Sequence, residues 1–183
     1  DFSVIGRLYF LNNYSTSTIT ATDRVADRKI RIGGLIGSIE RQIILEMNNN
    51  YAASSVINDV ASKDMTGAVI GFNNTNNLFS DNIFYSGSAA NGLPAIGKDV
   101  GSYGSTMMSK TEESMKNESF AKSLTANIDS LSTTIMPLDP QGKRYTYNPW
   151  AGAEGVWPAF TIPAVTDIDI YPVLSDNRKE IVY

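Results

Sequence analysis

Short apolar runs alternate with polar blocks through the first half of the chain, and the alternation recurs. Gly33-Gly34-Leu35-Ile36-Gly37 and Gly67-Ala68-Val69-Ile70-Gly71 are matching pentapeptides offset by 34 positions (71 − 37 = 34). Asn12-Asn13-Tyr14-Ser15-Thr16-Ser17 precedes the first, and Asn49-Asn50-Tyr51-Ala52-Ala53-Ser54 the second. A third block opens at Asn82-Ile83-Phe84-Tyr85-Ser86-Gly87. A period of this size predicts one supersecondary unit stacked on itself, each copy burying its apolar face only against its neighbours. The segments are rich in Ile, Val, Thr, Tyr and Phe and are bounded by Asn, Ser, Gly and Asp, so they read as short strands. The expectation is an all-β fold, a β-solenoid over residues 1–90, with Tyr14, Tyr51 and Tyr85 in equivalent positions. Leu35, Ile36, Val69 and Ile70 should reach the core, one of each adjacent pair pointing inward. Asparagines at matching positions predict side-chain ladders, turns with positive φ, or both.

Tyr14 and Gly33 are 19 apart, but Tyr51 and Gly67 only 16 (33 − 14 = 19; 67 − 51 = 16). The surplus is assigned to the charged stretch Asp23-Arg24-Val25-Ala26-Asp27-Arg28-Lys29, read as a surface loop in one rung. Residues 91–135 follow as a Gly/Ser-rich exit loop containing Pro94 and a short helical segment. Ser109-Lys110-Thr111-Glu112 has the pattern of a capping box, and Met115, Phe120 and Leu124 recur at helical spacing, predicting one broken helix or two short ones over 109–127. Residues 136–183 hold Pro137, Pro140, Pro149, Pro158, Pro163 and Pro172 around Trp150 and Trp157. This part is expected to be irregular or short-stranded, with no core of its own. Val165–Tyr171 alternates apolar and polar residues and reads as a strand.

Composition narrows the chemistry. The chain has 183 residues, no Cys and no His. Disulfides, Cys/His zinc sites and any Ser-His-Asp or Cys-His relay are thereby excluded. Net charge is −4, with Lys and Arg scattered rather than in a stripe, which disfavours nucleic acid. Only 19% of residues are charged, so Asn, Ser and Thr must supply the polar surface, a balance suited to a β-rich extracellular protein. No apolar run is long enough for a bilayer span. The chain begins with Asp1, and Phe2-Ser3-Val4-Ile5-Gly6 looks like the tail of an earlier pentapeptide. A fragment of a longer precursor is expected.

The Gly-Gly-Leu-Ile-Gly core and the Asn-x-Tyr blocks resemble the GLUG-motif repeats of microbial cell-surface proteins, also found in M26-type immunoglobulin A peptidases. In that family the last repeat runs into an aromatic strand, a Gly-rich loop and a Lys-Thr-x-x-x-Met-Lys helix. Asn82–Tyr85, Ile96-Gly97-Lys98 and Lys110-Thr111-Glu112-Glu113-Ser114-Met115-Lys116 match these, and Tyr171-Pro172-Val173-Leu174 matches a common family tail. The resemblance covers about residues 2–120 and that tail. Ala68 departs from the second glycine, and the Trp/Pro segment has no family counterpart. The resemblance implies a β-solenoid module on an extracellular protein and carries over no catalytic residue.

Several residues invite a functional reading. Asn13-Tyr14-Ser15, Asn73-Asn74-Thr75 and Asn117-Glu118-Ser119 fit the N-glycosylation pattern, Asn73 best because it opens a polar turn. Asp167 and Asp169 share a strand face, but calcium wants about six or more oxygens, so an exposed polar face is the preferred reading. Ser119-Phe120-Ala121-Lys122 and Ser175-Asp176-Asn177 imitate two elements of a penicillin-binding set whose Lys-Thr-Gly partner is missing; they read as chance. Tyr145, Tyr147, Trp150, Trp157 and Phe160 form either a contact surface for glycans or a partner, or an aromatic plug over an open end of the stack. The chain is therefore read as a non-catalytic extracellular or cell-surface module, a stalk, adhesin or fibre segment without cofactor or metal. The alternatives are a self-assembling filament subunit whose Trp/Pro tail docks on the next copy, and a carbohydrate-active β-helix protein. Its partners are expected to be other parts of its precursor, copies of itself or surface glycans.

Overall fold

The computed structural model describes residues 6–22, 30–41, 43–59, 64–101, 106–132, 149–160, 173–174 and 181–182. Among the described residues the fold is mostly β, chiefly in parallel ladders, with two helices. The first repeat contributes β1 (Gly6–Leu11), β2 (Tyr14–Ser15), β3 (Thr18–Ala21), β4 (Ile32–Gly33) and β5 (Ile36–Ile39). The second contributes β6 (Ile43–Ala52), β7 (Ser55–Asn58), β8 (Thr66–Gly67) and β9 (Ile70–Asn73). The third keeps β10 (Leu78–Ser86) and β11 (Ile96–Asp99), and β12 (Met107–Lys110) begins another turn. Then come α1 (Glu112–Met115), α2 (Glu118–Ser132), the antiparallel pair β13 (Trp150–Ala151) and β14 (Ala159–Phe160), and the pair β15 (Val173–Leu174) and β16 (Ile181–Val182).

Equivalent strands pair with one another. In the largest sheet, Leu8 of β1 and Leu78 of β10 both lie opposite Leu45 of β6. β12 continues this sheet with Met107 opposite Ile83. β3 pairs with β7, β4 with β8, and β5 with β9, which pairs with β11. All of these ladders are parallel. Ala21 faces Asn58, an offset of 37, whereas Ile32 faces Thr66, an offset of 34 (58 − 21 = 37; 66 − 32 = 34). The surplus residues of the first repeat thus fall between Ala21 and Ile32, the interval that contains Asp23–Lys29.

The core is the column of side chains enclosed by the ladders: Leu45, Met47, Val69, Ile70, Leu78 and Ile83. Leu35 and Ile36 pack on its margin, half-buried. The pentapeptides therefore do reach the core. The expected alternation within each pair fails, because Val69 and Ile70 are both 0% exposed. Ala68 and Val69 form the corner between β8 and β9 rather than part of a strand, so the two-residue period does not apply. The corner also explains the leading glycine. A Cβ at Gly33 would overlap the carbonyl oxygen of Ile36, and one at Gly67 that of Ile70.

Asn12, Asn49 and Asn82 adopt φ of 56°, 55° and 52°, left-handed values that asparagine tolerates better than most residues. Each sits at the same level of the large sheet, and each shifts the inward–outward alternation by one. Before the shift Leu45 and Met47 face the core; after it Ala52 does, and Tyr51 faces the other way.

Four further expectations need correction. The expected Gly/Ser-rich exit loop after residue 90 instead holds β11 and leads into β12, so the parallel ladders run past residue 90. Ser109 is not a helix cap. It lies within β12, whose pairing with β10 keeps it extended, and Thr111 caps α1 by accepting from the amide of Ser114 at 3.2 Å. Tyr85 lies opposite Ala52, and it is Phe84 that faces Tyr51. The left-handed Asn82 sets the register, and the aromatic two residues beyond it is Phe84. Finally, the Trp segment does not plug the end of the stack. It lies along its side, because an outward row of aromatic rings there needs cover. Helix formation over 109–127 holds as two helices, the second reaching Ser132. The alternating segment Val165–Tyr171 lies outside the described residues.

Candidate interaction surface

The left-handed asparagines build the site. By turning the strand, they direct the residue two places on away from the core in every repeat. Tyr14 and Tyr51 stack with ring centroids 5.4 Å apart and planes 18° from parallel. Phe84 follows in the same row. The asparagines themselves form a ladder: Asn49 Nδ2 donates to Asn12 Oδ1 at 2.6 Å, and Asn13 Nδ2 donates to Asn50 Oδ1 at 3.1 Å. Both ladder formation and positive φ, offered as alternatives from sequence, are present.

Helix α2 covers one flank of this row. Its amphipathic spacing puts Phe120, Ala121, Leu124 and Ile128 on the buried face. Asn117 starts the helix by accepting from the amide of Phe120 at 2.8 Å. Phe120 meets Phe84 edge-on at 5.2 Å and Tyr51 at 5.8 Å. Polar contacts fix its height: Asn127 Nδ2 donates to Asn49 Oδ1 at 3.1 Å, and Asn49 Nδ2 donates to the Leu124 carbonyl at 2.8 Å.

The pair β13–β14 covers the other flank. Trp150 and Phe160 lie 4.1 Å apart, and both approach Tyr14. Trp157 stacks against Tyr51 at 6.2 Å, and Lys116 Nζ sits 4.5 Å from the Trp157 ring while pairing with Glu112 at 2.6 Å. The buried Tyr51 hydroxyl donates to the Pro158 carbonyl. Burial pushes the Tyr51 pKa upward, with a smaller contribution from Tyr14. The backbone N–H of Trp150 donates to Thr125 Oγ1 at 2.9 Å, tying the hairpin to α2. Its indole Nε1 is buried and finds no partner among the described residues.

Of the five aromatic residues singled out from sequence, Trp150, Trp157 and Phe160 come together here. Tyr145 and Tyr147 lie outside the described residues, as do Asp167, Asp169 and Ser175. Sequence reasoning missed Tyr14, Tyr51, Phe84, Phe120 and Lys116 as members of this site. The Asn-x-Tyr block was the available signal, since an asparagine that reverses the alternation turns its tyrosine outward. Trp157 and Phe160 remain half-buried and Tyr14 exposed, so the cluster keeps an accessible rim.

The three glycosylation triplets are occupied by structure. Asn73 is 0% exposed, and its Nδ2 donates to Asp99 Oδ1 at 2.8 Å. Asn13 is held in the asparagine ladder, and Asn117 Nδ2 donates to the Glu113 and Ser114 carbonyls at 3.0 Å each. All three amide nitrogens thus make hydrogen bonds within the chain, and of the three side chains only that of Asn73 is buried. Lys122, from the penicillin-binding-like motif, pairs with Glu118 at 2.8 Å on the solvent side of α2. Among the described residues no group of three His, Cys, Asp or Glu converges as a metal site. No described helix is long and apolar enough to cross a membrane. Comparison with family models, curated proteins and solved structures returned no match.

Proposed function

We propose that the chain is a non-catalytic structural and interaction module, a β-solenoid segment that extends a cell-surface or extracellular protein. The observation that carries this reading is the pairing of equivalent strands from successive repeats, in parallel and in register, around one apolar column. Such a unit grows along one axis and presents side chains in rows. Side-chain ladders and stacked rings add cohesion between rungs. The low charge, the abundance of Asn, Ser and Thr, and the resemblance to GLUG repeats support an extracellular setting.

The carbohydrate-active reading is less well supported. Glycoside cleavage uses two carboxyl groups about 5–9.5 Å apart across a cleft, and among the described residues Glu46, Glu40, Glu112 and Glu118 are paired with Arg7, Arg31, Lys116 and Lys122. Antibodies raised against the folded chain should label intact source cells without permeabilisation. Labelling only after permeabilisation, or hydrolysis of any glycan in a polysaccharide panel, would overturn the proposal.

A further inference from the structure

A polar cavity lies on the stack away from the aromatic site. It measures about 380 Å³ and is lined by Arg41, Asn74, Thr75, Asn76, Asn77 and Val100. These residues come from three successive corner turns. Arg41 belongs to the turn between β5 and β6, Asn74–Asn77 to that between β9 and β10, and Val100 follows β11. Backbone hydrogen bonds stack the turns: Asn74 N–H donates to the Ile39 carbonyl and Val100 N–H to the Asn73 carbonyl, each at 2.9 Å. Side chains fix the middle turn. Asn73 Oδ1 accepts from the Thr75 amide at 3.2 Å. Thr75 Oγ1 donates to the Ile43 carbonyl at 2.8 Å and accepts from the Asn77 amide at 3.1 Å. The floor is thus held in shape by the chain itself, which lowers the entropic cost of binding.

The cavity also carries a cation without a counter-charge. Arg7 and Arg31 pair with Glu46 and Glu40. Arg41 is exposed, and its Nε donates to Asn74 Oδ1 at 3.5 Å. The adjacent acid, Glu40, is taken up by Arg31 and Ser38. Among the described residues no carboxylate pairs with the Arg41 guanidinium. We propose that this cavity binds a glycan bearing a carboxylate, with Arg41 on the carboxylate and the amides of Asn76 and Asn77 on ring hydroxyls. The guanidinium fork matches a carboxylate through two parallel hydrogen bonds. Side-chain amides both donate and accept, as sugar hydroxyls do. Val100, 55% exposed, offers apolar contact to the C–H face of a ring. Rungs of a parallel ladder lie about 4.8 Å apart, so three turns span about 10 Å, room for a short saccharide rather than a lone anion. The proposal rests on the interaction-module reading above and names its partner class.

The probe is the trisaccharide of galacturonic acid, titrated calorimetrically into the full-length chain, with the neutral galactose trisaccharide and sodium acetate as comparisons. The acidic trisaccharide should bind saturably, and less tightly as salt rises. Arg41→Gln should weaken it at least about tenfold. Lys122→Gln, which removes the same charge from the solvent side of α2, should bind as the parent does. Asn76→Asp puts a carboxylate into the cavity and should also weaken binding; it decides the matter if Arg41→Gln fails to fold by circular dichroism. No binding by the folded parent, undiminished binding in the cavity variants, or an equal loss in Lys122→Gln would overturn the proposal. So would equally tight binding of the neutral trisaccharide, which removes the carboxylate's role, or of acetate, which reduces the cavity to a simple anion site. Reducing ends are counted in the same mixtures. Their appearance would overturn the non-catalytic reading of the chain, whereas failure to bind without cleavage rejects this site alone.

Discussion

Asparagine takes at Asn12, Asn49 and Asn82 a backbone conformation that most residues avoid, and then uses its amide to bind the neighbouring rung. The two roles separate by substitution. Asn49→Gly keeps the left-handed turn and loses the amide contacts; Asn49→Ala loses both. Alanine should be the worse replacement by about 1–2 kcal/mol, the cost of a left-handed conformation in a residue with a Cβ, measured by urea denaturation. The corner glycines behave differently. Gly67→Ala drives a Cβ into the Ile70 carbonyl and should cost about 1–3 kcal/mol or more. The adjacent Ala68→Gly removes a methyl without a clash and should cost less, about 0.5–1 kcal/mol of backbone entropy. If the two cost the same, the steric account of the corner is wrong.

At the scale of elements, helix α2 and the β13–β14 pair act together as a cover for the aromatic row. Trp150→Ala removes the ring that touches Tyr14, Tyr51 and Phe160 and should destabilise by about 3–5 kcal/mol. Tyr51 adds a pH dependence. Its folded pKa is raised by burial, so the phenol stays protonated in the folded chain where the unfolded chain ionises. The stabilisation is complete below the ordinary tyrosine pKa of about 10 and is lost progressively as pH rises from there toward the raised folded value. Tyr51→Phe should flatten that alkaline fall, while losing about 0.5–1.5 kcal/mol at neutral pH with the bond to Pro158. An unchanged alkaline profile in the phenylalanine variant would assign the loss to other groups. The helices were legible from sequence because their apolar spacing is local. Their cap was not: Ser109 fits a capping box as well as Thr111 fits a cap, and only the pairing of β12 decides between them.

Across the whole molecule, the β-rich character and the parallel pairing were legible where the chain restates the same local chemistry, glycine at Gly33 and Gly67 and asparagine at Asn12, Asn49 and Asn82. Where a rung departs from the pattern, legibility fails. The third repeat drops two short strands, and its extra aromatic residue disguised Phe84 as something other than the partner of Tyr51. The seat of Trp150, Trp157 and Phe160 was legible only as a need for cover. Which surface they cover depends on contacts spanning more than a hundred residues, from Tyr51 to Pro158 for example. A chain ended at residue 135 should therefore lose solubility, because it exposes the side of the stack rather than its end. Unchanged solubility and melting of that truncation would show that the aromatic row stands without its cover.

The placement of the indoles also dictates what light can report. Both tryptophans of the chain, Trp150 and Trp157, belong to the lateral cover and none to the ladders. Intrinsic fluorescence excited at the indole band is thus a private signal of cover docking, blind to the rungs, while far-ultraviolet dichroism is dominated by the rungs. If the cover peels away before the ladders melt, the fluorescence transition will precede the dichroic one during denaturation. An observer using fluorescence alone would then record the lifting of the cover as the unfolding of the protein.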